Sequence, residues 1–211
     1  MGREATSELT GRPRLTQRER VEESTRRLAV AAVELFGEQG FEATTTSQIG
    51  ERAGYSREMV RKRYGSKEAL LDYLLEYELA ERVSPEPDPE LTGLDQVLAQ
   101  IDSLIALVEE DEAMARAFFV LCFEAAGPVP RLRPWFRDWF TGIEGQVKRS
   151  LRRGQADGTV RADLDLDTEA KAFLSQSIGL GFRKVLDWER NDFIGEARAW
   201  RTSLAERCRP S

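Results

Sequence analysis

The sequence predicts an all-α protein, on three observations. Apolar residues recur at i, i+3, i+4 and i+7 in nearly every segment, the period of one helix face. Glycine and proline punctuate those segments, at Gly40, at Gly54, within 84–89 and within 127–130. A single stretch alternates as a strand would: Val160, Ala162, Leu164 and Leu166. With no second strand to pair with, it reads as a loop entering a helix capped by Asp167.

The elements follow in order. Thr16-Gln17-Arg18-Glu19 is a capping box, in which Thr16 and Glu19 satisfy the first free amides of a helix. Leu28, Ala31, Ala32, Leu35 and Phe36 then form one apolar stripe, and Gly40 is a natural end. A short helix is expected from Thr45 to Ala53, a break at Gly54, and a second short helix from Arg57 to Tyr64 capped by Ser56. Ser66 caps a longer helix that carries Leu70, Leu71, Leu74 and Leu75 and reaches Val83. The prolines of 84–89 stop it. Leu94, Val97, Leu98, Ile101, Leu104, Ile105 and Val108 give the next stripe. The helix over 112–126 is apolar on most faces, which predicts a central position. Pro134 opens a helix carrying Trp135, Phe136, Trp139, Phe140, Ile143, Val147 and Leu151; two further helices span 168–188 and 192–208.

Composition narrows the function. The 211 residues are 41% hydrophobic and 32% charged, as in folded globular proteins. No stretch approaches the roughly 20 apolar residues of a membrane span. The first residues lack the apolar core of a secretory signal. A cytoplasmic protein with no membrane partner is expected. Cys122 and Cys208 form no CxxC pair, and histidine is absent. No disulfide framework, metal site or other cofactor is expected, and the commonest general base is missing. The net charge of −6 is unevenly spread: residues 1–67 hold 13 basic and 10 acidic side chains, the remainder 18 and 27. A basic module inside an acidic whole can still meet phosphates, because those contacts are local.

The informative segment is TTTSQIGERAGYSREMVRKRYGSK, residues 44–67. A helix-turn-helix needs a short helix, a tight turn and a second helix at a fixed angle. Ile49, Ala53, Val60 and Tyr64 supply inward apolar contacts and Gly54 supplies the turn. Arg57, Glu58, Arg61 and Lys62 then project outward, a mostly cationic face suited to a DNA major groove. Arg63 and Lys67 extend the charge towards the DNA backbone. Thr45, Thr46 and Ser47 open the first helix, where free amides and hydroxyls suit a phosphate. Ser56, Met59 and Tyr64 complete the candidate DNA-contacting set. Arg61-Lys62-Arg63 in isolation reads equally as a solvated face. Arg12 and Arg14, in Gly11-Arg12-Pro13-Arg14, fit either an arm reaching a narrow minor groove or an ordinary basic tail.

Between Arg26 and Leu71 the sequence resembles the TetR family of bacterial repressors: the helix ending at Gly40, then TTTSQIGERAGYS, then RYGSKEALL. Beyond that the likeness is only in helical character, with a Gly158-containing turn before the penultimate helix. The resemblance implies a dimer that places its third helix in the major groove, and a second domain holding a ligand pocket and the dimer interface. One departure stands out. Where most members carry an aromatic late in the third helix, this chain has Arg61, so the target sequence is not inherited from relatives.

Aromatics concentrate in two adjacent helices. Phe118, Phe119, Cys122, Phe123, Trp135, Phe136, Trp139 and Phe140 are candidates for lining an apolar ligand pocket, and equally for core. Glu124 and Asp138 lie beside them, as partners for a cationic ligand or as surface charges. In the last two helices Phe173, Leu174, Ser177, Ile178, Gly181 and Val185, with Phe193, Ala197, Trp200 and Leu204, are spaced like interface seams. They are candidate dimer contacts, with packing inside one subunit as the alternative.

The expected organisation is a basic N-terminal arm (1–15), a helix-turn-helix domain (16–66), a connecting helix (67–83) and a helical ligand-binding and dimerisation domain (84–211). The expected function is a transcriptional repressor that binds a near-palindromic double-stranded operator as a homodimer and is released by a small apolar or aromatic effector. The alternatives are a DNA-binding regulator or architectural protein without an effector, and a helical enzyme built on Glu109, Glu110, Asp111 and Glu112. The carboxylate run has no spaced partner, so no enzyme is expected.

Overall fold

The structure is a computed structural model that describes residues 16–83 and 85–210. The expected arm with Arg12 and Arg14 lies outside the described residues. Ten α-helices appear among the described residues, and no strand. The first four are α1 (Gln17–Ala43), α2 (Thr46–Arg52), α3 (Arg57–Tyr64) and α4 (Lys67–Tyr73). A π-helical turn, Leu74–Leu79, runs from α4 into α5 (Ala80–Val83). The larger half contains α6 (Gly93–Glu110), α7 (Glu112–Ala126), α8 (Arg133–Asp157), α9 (Leu166–Leu186) and α10 (Phe193–Cys208). No single described helix is long and apolar enough to cross a membrane.

Thr16 and Glu19 form the predicted capping box. At Gly40 the backbone turns to φ 82°, and one further turn carries the chain to Ala43. Lys67 sits across that end. Its ammonium donates to the carbonyls of Phe41 and Thr44, at 2.7 Å each, and lies 4.1 Å from the centre of the Phe41 ring. A cation there satisfies the carbonyls that a helix end leaves free. Ser66 caps α4 as expected, whereas Ser56 occupies the N-cap position of α3 without a side-chain cap bond. The cap of α9 is Asp165 rather than Asp167; its carboxylate accepts from the amides of Asp167 and Thr168.

In the larger half α6 and α8 cross so closely that a Cβ on Gly93 would stand 2.0 Å from the backbone nitrogen of Gly154. Beside this crossing Ser150 donates to Gln96 at 3.0 Å, a buried pair that satisfies both groups. The inner face of α10 packs against α6 and α9. Phe193, Ala197, Trp200 and Leu204 are buried within the single chain, Leu204 at 0% exposure. Arg198 and Arg201 pair with Glu109 and Asp102 of α6. This candidate dimer stripe therefore packs within one chain, the alternative that its spacing left open. Spacing identifies an apolar stripe but not the helix it packs on.

Candidate nucleic-acid interface and apolar cavity

The helix-turn-helix is built around Ile49, Ala53 and Val60, all buried against α1 and α4 residues of the core. Thr45 caps α2 reciprocally with Gln48: the Thr45 amide donates to the Gln48 carbonyl oxygen at 2.8 Å and the Gln48 amide donates to Thr45 Oγ1 at 3.2 Å. The turn closes with the Tyr55 amide donating to the Gly50 carbonyl at 2.7 Å, and Gly54 takes φ 77°. Gly50, not singled out from sequence, permits the close packing. A Cβ there would lie 2.8 Å from both Ser56 C and O, backbone atoms that cannot swing aside. Arg52 of α2 grips Glu34 and Glu38 of α1 at 3.1 and 2.9 Å.

On the outer side of α3, Arg57, Glu58, Arg61 and Lys62 are exposed, and Met59 is half-buried. Neither Arg57, Arg61 nor Lys62 has a hydrogen bond or ion pair among the described residues. Thr45, Ser47 and Ser56 are exposed beside them, with Thr46 half-buried. Arg63, Tyr64 and Lys67 behave differently. Arg63 Nε donates to Ser24 Oγ at 2.6 Å and Tyr64 donates to the Thr25 carbonyl at 2.9 Å, both on α1. Arg63 and Tyr64 tie α3 to α1, and Lys67 ties the start of α4 to the end of α1.

In the larger half a narrow, apolar, partly open crevice with about 30 Å³ of free space lies between α6, α7, α8 and α9. Of the eight predicted pocket residues, Phe118, Phe119, Cys122, Phe123, Trp139 and Phe140 line it. Trp135 and Phe136 stand behind them, Trp135 stacked on Trp139 and Phe136 in edge contact with Trp135. Phe173, Leu174, Ser177 and Ile178, candidate dimer contacts, line the crevice, with Leu174, Ser177 and Ile178 half-buried. Gly181 belongs with this inner face, since a Cβ there would meet the Phe119 ring at 2.6 Å. Burial pushes the Cys122 thiol up to about 12, so this wall residue stays protonated. A larger open groove, about 600 Å³, separates α1 from α4 and α7. Its rim charges are already paired, Arg82 with Asp111 and Glu78, Arg26 with Glu23. The uncharged aromatic lining of the crevice, rather than its size, makes it the candidate small-molecule site.

Glu124 was weighed as a partner for a cationic ligand. The structure turns it away from the crevice: its carboxylate accepts the Phe41 amide of α1 at 2.8 Å. It thus joins the wall helix α7 to the α1 end that carries Lys67. Burial raises its pKa, opposed by the Phe41 amide, reinforced by Glu42 and opposed by Lys67. A carboxyl with a raised folded pKa binds its proton more tightly in the native state. Stability therefore falls as pH climbs from the unfolded value through the raised one, and the penalty is complete above it. Glu124→Gln is expected to melt higher than the parent at neutral pH, with the difference vanishing towards pH 4. A constant difference at all pH values would show that ionisation of Glu124 does not matter. Asp138 is exposed beside Arg137 and takes no part in the crevice.

Residues 28–74 match the family described as bacterial regulatory proteins, tetR family. The chain carries a tetR-family DNA-binding domain. No curated protein sequence matches the chain. Solved structures of the same fold include a TetR transcriptional regulator from Chloroflexus aurantiacus, 21% identical, TM-score 0.73, covering 91% of this chain and 99% of that one. The regulator FadR from Bacillus subtilis, in complex with stearoyl-CoA, is 18% identical with TM-score 0.69, covering 86% and 98%. A SmeT–triclosan complex is 21% identical with TM-score 0.73, covering 89% and 92%. At these identities the likeness establishes the fold: a TetR-type helix-turn-helix followed by a helical second domain. Within that frame, three contacts are not anticipated by the sequence: the close approach at Gly50, the Gln48 cap and the bond from the Phe41 amide to Glu124. Gly50 carried no pattern signal because its role depends on what lies opposite it. Gln48 offered one, since Thr45 with Gln48 has capping-box spacing. Glu124 offered none, its partner being a backbone amide 83 positions away. Three of the four carboxylates of the enzyme alternative are occupied structurally: Glu109 by Arg198, Asp111 by Arg82 and the Met114 amide, Glu112 by the Trp188 indole.

Proposed function

We propose that this chain is a transcriptional repressor that binds a near-palindromic operator as a homodimer and releases it when a small apolar ligand enters the crevice. The observation that carries the proposal is the exposed trio Arg57, Arg61 and Lys62 on a helix clamped by buried residues behind it. Such a helix enters a major groove as a rigid cationic face. The proposed division is a DNA module over 16–66, the connector over 67–83 and the sensing and dimerisation part over 84–211. Arg57 and Arg61 are the proposed base or phosphate contacts, with Glu58 tuning base choice and Thr45 and Ser47 meeting the backbone. Selection of bound duplexes from a random library tests this: enrichment of one inverted repeat supports it, and salt-sensitive binding without a motif favours an architectural protein.

For the dimer, the outer face of α9 supports the reading. Ala172, Ser175, Gln176, Gly179, Phe182 and Leu186 follow one another at helical spacing and are exposed. Phe182 is 47% and Leu186 68% exposed, unusual for side chains so apolar. Two-fold pairing of this face sets the spacing of the two α3 helices. Leu186→Glu is expected to weaken self-association about a hundredfold or more, because an unpaired buried carboxylate costs several kcal/mol. Sedimentation at graded concentrations reads it, and an unchanged dimer would place the interface elsewhere.

Two neighbours of this fold were solved with a small molecule bound, which supports the effector reading. Ligand in the crevice acts only by favouring one arrangement of the DNA modules over another. The contact of Glu124 with Phe41, together with the connector, offers the route. The close ring contacts around the crevice, such as Phe118 to Trp139 at 5.1 Å, favour a second reading: a regulator with no effector. Operator release by a crevice ligand separates the two.

A further inference from the structure

The crevice wall has an unusual chemical balance. None of its lining residues is charged. Two carboxylates that flank these rings in sequence are turned elsewhere, Glu124 to the Phe41 amide and Asp138 to solvent beside Arg137. An ionic ligand would therefore lose its hydration and meet no counter-charge, which costs far more than an apolar contact returns.

One polar atom in that wall lacks a partner. Trp139 Nε1 is buried and has no hydrogen-bond acceptor. Among the described residues the only other such side-chain atom is Asn191 Oδ1, which is not part of this wall. The half-buried Trp139 ring is packed among other rings. It is stacked on Trp135 with an interplanar angle of 7°, and meets Phe118 and Phe140 edge-on at 5.1 and 5.2 Å. The other hydrogen-bonding side chains of the wall already donate, Gln100 to the Pro85 carbonyl and Ser177 to the Phe173 carbonyl. A bridging water needs two to four polar partners, and a wall of rings supplies few. A buried indole N–H is normally paired, and leaving it unpaired costs stability until something in the crevice accepts from it.

We propose that Trp139 reads the effector's polar atom: its indole N–H donates to an oxygen acceptor on a neutral, flat, otherwise apolar ligand. This rests on the reading of the crevice as the effector site. The specificity it gives is against hydrocarbons, which leave the N–H unpaired, and against cations and anions, which find no counter-charge.

Calorimetry with three probes tests it: indanone, a neutral flat ketone; indane, the same skeleton without an acceptor; and aminoindane, a cation at neutral pH. The unmodified protein is expected to bind indanone about tenfold more tightly than indane, the size of one hydrogen bond, and to bind aminoindane more weakly than either. Trp139→Phe is expected to bring indanone down to the affinity of indane and leave indane unchanged. Its apoprotein should melt no lower than the parent, since an unpaired donor has been removed. The comparison of probes on the unmodified protein stands whether or not that variant folds. Leu174→Trp, which fills the crevice from α9, should weaken indanone and indane alike.

Equal affinity for indanone and indane, or an equal loss of both in Trp139→Phe, would overturn the role of Trp139 while leaving the crevice as a ligand site. Aminoindane binding as tightly as indanone would overturn the neutral ligand class. Binding that ignores Leu174→Trp, or no binding by any probe, would overturn the crevice reading itself.

Discussion

Alanine at both Arg57 and Arg61 is expected to weaken operator binding about a thousandfold. Each arginine that reaches a guanine edge discriminates by about 1–3 kcal/mol, and a dimer presents each residue twice. Four lost contacts at the low end of that range sum to about 4 kcal/mol, close to three factors of ten. Both side chains are exposed and free of partners among the described residues, so their removal leaves the α3 core of Val60 and its neighbours intact. The melting temperature should hardly move. Single variants distinguish the roles. A residue that reads a base relaxes the preferred sequence at one position per half-site when it is removed. One that grips a phosphate weakens all sequences alike and lowers the salt slope by about 0.9 per contact. Binding unchanged in the double variant would mean that the cationic face is only solvated surface.

Gly50→Ala should damage the same activity without touching the DNA-facing surface. Alanine inside a helix usually gains about 1 kcal/mol over glycine. Here the new methyl would lie 2.8–2.9 Å from Ser56 C and O and Arg57 N, all backbone. Overpacking of this kind costs about 1–3 kcal/mol. The clash falls where α2 meets the start of α3, so relief requires the recognition helix to move. A fall of about 4–8 °C in melting temperature and weaker operator binding are expected together. Gly142→Ala provides the opposite sign. Gly142 is exposed within α8 with nothing near its would-be Cβ, so the same substitution should stabilise by up to about 1 kcal/mol. If both variants melted higher than the parent, the close packing at Gly50 would be refuted.

The helix-turn-helix was legible because its determinants are local. The stripe at Leu28–Phe36, the turn glycine at Gly54 and the caps at Thr16 and Ser66 each act within a few residues of chain. Short-range sterics and hydrogen bonding therefore write them into the sequence order. Aromatic crowding in α7 and α8 was legible for the same reason, and five of those rings, with Cys122, do meet at the crevice.

What an apolar stripe faces is a different kind of information. Phe173, Leu174, Ser177 and Ile178 have interface-like spacing, yet they close the crevice from α9, and the stripe of α10 is used up on α6 and α9. Arg63, Tyr64 and Lys67 sit in a basic run but each makes a hydrogen bond to α1 or its end. The sequence by itself determined the all-helical class, the DNA-reading motif, its exposed cations and the aromatic concentration, because periodicity and capping are properties of neighbouring residues. Only the tertiary structure decided which faces remain free, which carboxylate reaches Phe41 and which indole N–H is left without an acceptor. Those depend on atoms brought together from distant positions, and burial becomes defined only once every helix has a partner.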